Sequence, residues 1–223
     1  MSQNSTSQQK NMRDGQLRTN SVHDQRIIDV IESVRREAFV PEAMQGSAYV
    51  DEHIALKNGR CTLEPLVFAT LLGLADVMPH QKLLLIGASY GYAAAILSKL
   101  GASVTVVESD PALIEEARTR LQRENIQNVT LHHGPMPSGW PNHTYDVIFI
   151  DGGVQMIPPA LLEQLHEGGR LVAIEVMPNP SSPNGVGCYV KIQRTENLFS
   201  SRRQGNAFVP VLPGFILKEG FSL

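Results

Sequence analysis

Leu83-Leu-Leu-Ile-Gly-Ala-Ser-Tyr-Gly-Tyr92, followed by Val104-Thr-Val-Val-Glu-Ser-Asp110, decides the fold. An apolar run stops at Gly87 and a turn of small residues follows. After a helical stretch, a second apolar run ends on the carboxylate of Glu108. Strand–loop–helix–strand units of this kind bind nucleoside-bearing cofactors. Glycine at the turn lets the backbone approach the ligand, and an acid about twenty residues on accepts hydrogen bonds from ribose hydroxyls. The competing reading is a plain strand-to-helix turn, because Ser89 and Tyr90 stand where such loops often carry glycine.

Outward from that unit, short apolar runs alternate with helical segments. Leu83–Ile86, Val104–Glu108, Asn128–His132, Tyr145–Ile150 and Arg170–Ile174 read as strands. Gly91 to Leu100, Pro111 to Asn125 and Pro158 to Leu165 read as helices, the second capped by Asp110. Gly187–Gln193 and Phe208–Val211 suggest a closing strand pair, and Phe215–Leu217 a little more. Strands of this length between helices call for an α/β fold with a mostly parallel, doubly wound sheet. Its ligand lies beyond the strand carboxyl ends, where Gly87–Gly91, Glu108 and Asp151 all fall.

Upstream, Val22 to Phe39 has one apolar face and reads as a helix stopped by Pro41, and Pro65 to Val77 as a second with proline in its first turn. The chain therefore divides into a disordered Ser/Gln-rich tail over 1–10, an N-terminal helical cap over 11–78 and a core over 79–223.

With 223 residues, 42% of them hydrophobic, the chain has material for one substantial core. A net charge of −3 argues against a general nucleic-acid binder, whose footprint would be basic. Cys61 and Cys188 are too few for a disulfide framework and fit a reducing compartment. No apolar run approaches the roughly 20 residues that span a bilayer, and the first ten residues hold no hydrophobic segment. The expectation is a soluble cytoplasmic protein.

The stretch from Leu83 to Glu108 resembles the first motif and following acidic position of S-adenosylmethionine-dependent methyltransferases, which implies a Rossmann-like class I core. The resemblance then narrows. Met12, Gln16-Leu17, Arg36-Glu-Ala-Phe-Val-Pro41, Ala48-Tyr-Val-Asp51, Gly139-Trp-Pro141, Tyr145-Asp-Val-Ile148, Leu161-Leu-Glu-Gln-Leu165, Gly168-Gly-Arg-Leu-Val172 and Phe208-Val-Pro-Val211 occur in order. Together they are similar to the protein-L-isoaspartate O-methyltransferase family across roughly residues 12–212. That resemblance implies transfer of a methyl group from S-adenosyl-L-methionine to the α-carboxylate of L-isoaspartyl residues. The ester then collapses to a succinimide, a route back to aspartate. It implies an isoaspartyl peptide or protein as substrate and carries Gly87, Gly91 and Glu108 over to the cofactor site, with Ala88, Ser89, Tyr92 and Ser109 beside them as further candidates.

The chain departs from the family where contacts matter most. Against the pattern Gly-x-Thr-Ile-Ser-x-Pro it has Gly59-Arg-Cys-Thr-Leu-Glu-Pro65, so Cys61 and Leu63 replace the two hydroxyl residues. Leu85 replaces the acid ahead of the glycine loop and Ser89 its middle glycine. Pro135 stands at an aspartate position near the adenine and brings neither carboxylate nor N–H. Thr62 and Arg60 are the candidates for holding a substrate carboxylate, Arg60 by charge-assisted hydrogen bonds. For Arg60 the competing reading is a surface arginine.

Asp151 is similar to a metal-binding aspartate of small-molecule O-methyltransferases. No second carboxylate stands at a telling spacing, so no metal is expected. His132, His133 and His143 read as solvated histidines, Cys61 as a packed thiol and Trp140 as a packing anchor. The turn-rich Met177 to Gly185 reads as a connection or a cover. Three functions remain open: isoaspartyl repair, a methyltransferase with another acceptor, and a non-catalytic relative acting as cofactor sensor or interaction protein.

Overall fold

The computed structural model describes residues 3–20, 22–178 and 185–217. Most of the turn-rich 177–185 segment lies outside them. In chain order the helices are α1 (Gln3–Met12), α2 (Gln25–Glu32), α3 (Pro65–Ala75), α4 (Tyr92–Leu100), α5 (Pro111–Arg123) and α6 (Pro159–Leu162). The strands are β1 (Ile54–Ala55), β2 (Cys61–Thr62), β3 (Lys82–Ile86), β4 (Ser103–Glu108), β5 (Val129–His133), β6 (Tyr145–Val154), β7 (Leu165–Val176), β8 (Gly185–Thr195) and β9 (Leu198–Val209).

Seven strands form one sheet in the order β5-β4-β3-β6-β7-β8-β9. β5, β4, β3, β6 and β7 run parallel, and β8 and β9 are antiparallel additions. Strand order reverses between β3 and β6, which is where such a sheet opens a crevice for a ligand. Leu83–Ile86 of β3 are fully buried, as a central parallel strand covered on both faces demands. α4 packs against β3, β4 and β5 on one side and α2 on another, and its Ala93–Ala95 run is fully buried between them. Asp110 caps α5 by accepting from the Ala112 N–H at 2.8 Å, worth about 1 kcal/mol. Elements on both sides of residue 78 share one apolar core, from Met12 to Phe215.

The main departures from the expected elements have local causes. The 22–39 helix divides into α2 and a 3₁₀ turn over Arg36–Phe39. Ser33 closes α2 by bonding back to Asp29 and Val30, and extended backbone at Arg35 turns Arg36 inward. Residues 1–10, expected to be disordered, contain most of α1. This polar helix is held by tertiary contacts: Gln9 Nε2 donates to the Glu32 carbonyl at 2.8 Å and Met12 is buried.

Toward the C-terminus, the helix expected to reach Leu165 is only α6, because β7 begins there and pairs Leu165 with Tyr145. β6 continues through Asp151 to Val154, so Asp151 lies within a strand and not in a turn. β8 and β9 form a long hairpin that the polar 198–207 run had concealed. No helix among the described residues is long and apolar enough to cross a membrane.

Candidate active site

Gly87 ends β3 with φ +92° and donates its N–H to the Val107 carbonyl at 2.9 Å, which locks the loop to β4. A methyl group here would stand 2.9 Å from Arg60 Nη2 and 3.6 Å from the Asp151 carbonyl oxygen, so only glycine fits without displacing a neighbour. Gly91, at φ +96°, lets the start of α4 meet Ala117 and Leu121 of α5. Between them Ser89 adopts φ +45°, a conformation that costs a non-glycine residue roughly 1–2 kcal/mol. Its hydroxyl donates to the Cys61 carbonyl at 3.1 Å, tying the loop to β2.

Glu108, at the end of β4, is completely buried, and both carboxylate oxygens are engaged. Oε1 accepts from Arg60 Nη1 at 2.9 Å, Ser109 N at 2.8 Å and Asp110 N at 3.1 Å. Oε2 accepts from Ala88 N at 2.9 Å. Ala88 and Ser109 thus reach the site as backbone donors to this acid. Arg60 is not a surface arginine: it is 5% exposed, Nη1 also lies 3.9 Å from Met136 Sδ, and Nη2 has no partner among the described residues. Thr62, 3% exposed, likewise holds a buried hydroxyl with no such partner.

Asp151 lies at the carboxyl side of the switch point. Burial pushes its carboxyl up to about 7, against the opposing pull of the Arg60 and Arg36 cations. A cavity of about 10 Å³, bounded by Arg60, Cys61, Asp151, Gly152, Val211 and Leu212, holds about one water at most. Leu212 is positioned over Gly87 and Gly152 because its N–H donates to the Gly153 carbonyl and Gly153 N–H to Pro210. Burial also pushes the Cys61 thiol up to about 12, so it stays protonated and is no nucleophile.

The remaining candidates are elsewhere. Tyr92 does not line the loop. Its ring packs against Phe39 and Phe68 with the Arg36 guanidinium 4.9 Å from its centroid. Tyr90 is buried under Arg120. Leu85 and Leu63 are core residues, the latter lending its carbonyl to Arg36 Nη2 at 2.5 Å. Pro135 opens a 3₁₀ turn that brings Met136 against Arg60. Trp140 stacks on His132 at 3.6 Å and holds its N–H to Gln164.

His53, for which the sequence carries no signal, links the start of α3 to β9. Its Nδ1 accepts from Glu64 N at 2.8 Å and its Nε2 lies 2.7 Å from the Phe208 carbonyl. A His–x₁₀–Glu-Pro spacing carries no recognisable signal. Among the described residues no group of three or more His, Cys, Asp or Glu side chains could hold a metal ion.

The model of the family described as Protein-L-isoaspartate(D-aspartate) O-methyltransferase matches residues 7–213. The chain is 38% identical over 167 residues to the protein-L-isoaspartate O-methyltransferase of Herpetosiphon aurantiacus, covering 74% of this chain and 75% of that one. It is 36% identical over 202 residues to that of Methylorubrum extorquens, covering 89% and 86%. Among solved structures, a protein-L-isoaspartate O-methyltransferase superposes with a TM-score of 0.76 at 22% identity, over 93% of this chain and 67% of that one. A Plasmodium falciparum relative in complex with S-adenosyl-L-homocysteine gives 0.75 at 16% identity, over 94% and 98%. At these identities the two structures are evidence of a shared fold.

Proposed function

The chain belongs to the protein-L-isoaspartate(D-aspartate) O-methyltransferase family, and from that premise we propose that it methylates the free α-carboxylate of isoaspartyl residues in peptides and proteins. S-adenosyl-L-methionine is the methyl donor in this reading. The observation that carries it is the extent of the family match, residues 7–213, which spans the cap, the glycine loop, Glu108 and the closing strand. Two free cysteines suit a reducing compartment, and we assign the protein to the cytoplasm.

The acceptor is ionised at neutral pH, so the protein needs to supply placement more than a base. Arg60 Nη2 and the Thr62 hydroxyl are the groups we assign to it. Both are buried polar groups with no partner among the described residues, a state that costs about 1–3 kcal/mol each until a carboxylate satisfies it.

The donor does not fit the site as arranged. Glu108 is the ribose-binding acid of the motif, yet it has no accessible surface and its contacts go to Arg60 and three backbone N–H groups. Arg60 Nη2 also crowds the open side of Gly87, where the backbone should approach the ligand. No step through the donor is derived from this arrangement.

Incubating the purified chain with S-adenosyl-L-methionine and matched isoaspartyl and aspartyl peptides tests the reading. Methyl ester, followed by methanol release, is expected from the isoaspartyl peptide alone. A folded chain that esterifies neither peptide overturns it.

A further inference from the structure

We infer that Arg60 is a gating residue that competes with the cofactor for Glu108, and that an isoaspartyl carboxylate opens the gate by drawing Arg60 away. The inference rests on the methyltransferase reading and adds to it a dependence of cofactor binding on the acceptor.

Three observations carry it. The first is occupancy: Arg60 Nη1 lies 2.9 Å from Glu108 Oε1, with the side chains of the pair 4% and 0% exposed. A ribose diol cannot reach this carboxylate while the guanidinium remains. The second is that the pair is asymmetric. Without Arg60, Glu108 keeps the N–H groups of Ala88, Ser109 and Asp110. Without Glu108, Arg60 keeps no hydrogen bond among the described residues beyond the weak contact to Met136 Sδ, with Asp151 as the remaining nearby carboxyl. Glu108 is therefore prepared for the loss and Arg60 is not, so Arg60 leaves only toward another anion.

The third observation is that Arg60 already has half of a binding fork free. Nη2 is buried without a partner among the described residues, beside Gly87, and two residues along the chain the Thr62 hydroxyl is likewise buried and unpartnered there. A substrate carboxylate offers two oxygens to a planar guanidinium, which Glu108, already using Oε1 for four donors, does not. Exchanging one carboxylate for the other transfers the charge pair to the substrate and exposes Glu108 to the cofactor. Asp151 also faces this space. Protonated up to about neutral pH, it competes poorly for Arg60 there and better in alkali.

The test is calorimetric titration of the full chain with S-adenosyl-L-homocysteine, with and without saturating isoaspartyl peptide. It is run on wild type and Arg60→Gln, with thermal melting to establish that each is folded. Wild type is expected to bind at least tenfold more tightly with the peptide than without it. Arg60→Gln is expected to bind at least tenfold more tightly than wild type in the absence of peptide, and to lose the peptide effect. Equal or weaker binding by a folded Arg60→Gln overturns the gate. So does a wild-type affinity that ignores the peptide, a result that needs no variant. Methyl ester formed by wild type in either case leaves the methyltransferase reading standing. No ester, and no S-adenosyl-L-homocysteine bound by either protein, removes both.

Discussion

Arg36 and Arg60 are both buried, and their surroundings teach opposite lessons. Arg36 lies in the cap, 1% exposed, with Nε on the Ala48 carbonyl at 2.7 Å, Nη2 on the Leu63 carbonyl and its plane near the Tyr92 ring. Its hydrogen-bond acceptors are two main-chain carbonyls rather than a carboxylate, although its Nη1, like Arg60 Nη2, has no partner among the described residues. Arg60 lies at the sheet's carboxyl edge against a carboxylate that three backbone N–H groups also hold. The first arrangement ties the 36–63 segment to itself and to the start of α4. The second can be exchanged.

The largest effect should fall on Arg36. Arg36→Met keeps much of the volume but strands two buried carbonyls, and it should destabilise the fold by about 3–5 kcal/mol. Chemical denaturation reads this directly. An Arg60→Gln loss as large as that would erase the contrast, since Glu108's remaining donors should hold its cost to about 1–2 kcal/mol.

Asp151 sharpens the same contrast through pH. Its folded carboxyl holds a proton up to about 7, against an ordinary 3.8. Between these values the folded chain binds more protons than the unfolded one, so this group lowers stability as pH rises from about 4 to about 7, and the loss is complete above that. At ~1.4 kcal/mol per unit the effect is at most ~4 kcal/mol. Asp151→Asn should flatten that slope between about pH 4 and 7. Parallel stability profiles for variant and wild type would show that Asp151 is ionised throughout.

The smallest effect belongs to the loop. Ser89→Ala loses the bond to the Cys61 carbonyl while keeping the left-handed backbone, and should cost about 1 kcal/mol. Ser89→Gly loses the same bond but relieves the backbone, so it should be about 1 kcal/mol more stable than the alanine variant. Reversal of that order in melting curves would show that the loop is unstrained.

The regular part of this structure was legible in the sequence because its cues are local. The apolar runs of β3 and β4, the Asp110-Pro111 start of α5 and the Gly87–Gly91 turn all depend on neighbours a few residues away. Glu108 could be read as a strand-end acid for the same reason. What concealed itself was long-range. Arg60 and Glu108 are 48 residues apart, and nothing in Gly59-Arg-Cys-Thr62 says that this arginine turns inward. Tyr92 follows the loop in sequence, but as the first residue of α4 it faces Phe39 and Phe68 in the cap. Of β9 only the end, at Phe208-Val209, was legible: the 198–207 part is an edge strand with both faces largely exposed, which needs no apolar alternation, and its Arg202 and Arg203 suit such an edge.

The central claim is that one carboxylate, Glu108, is shared in turn by Arg60 and the cofactor. A crystal structure of the chain with S-adenosyl-L-homocysteine and an isoaspartyl peptide tests it most directly. The account predicts ribose hydroxyls on Glu108, with the Arg60 guanidinium moved onto the peptide carboxylate. A bound nucleoside beside an intact Arg60–Glu108 pair would contradict it.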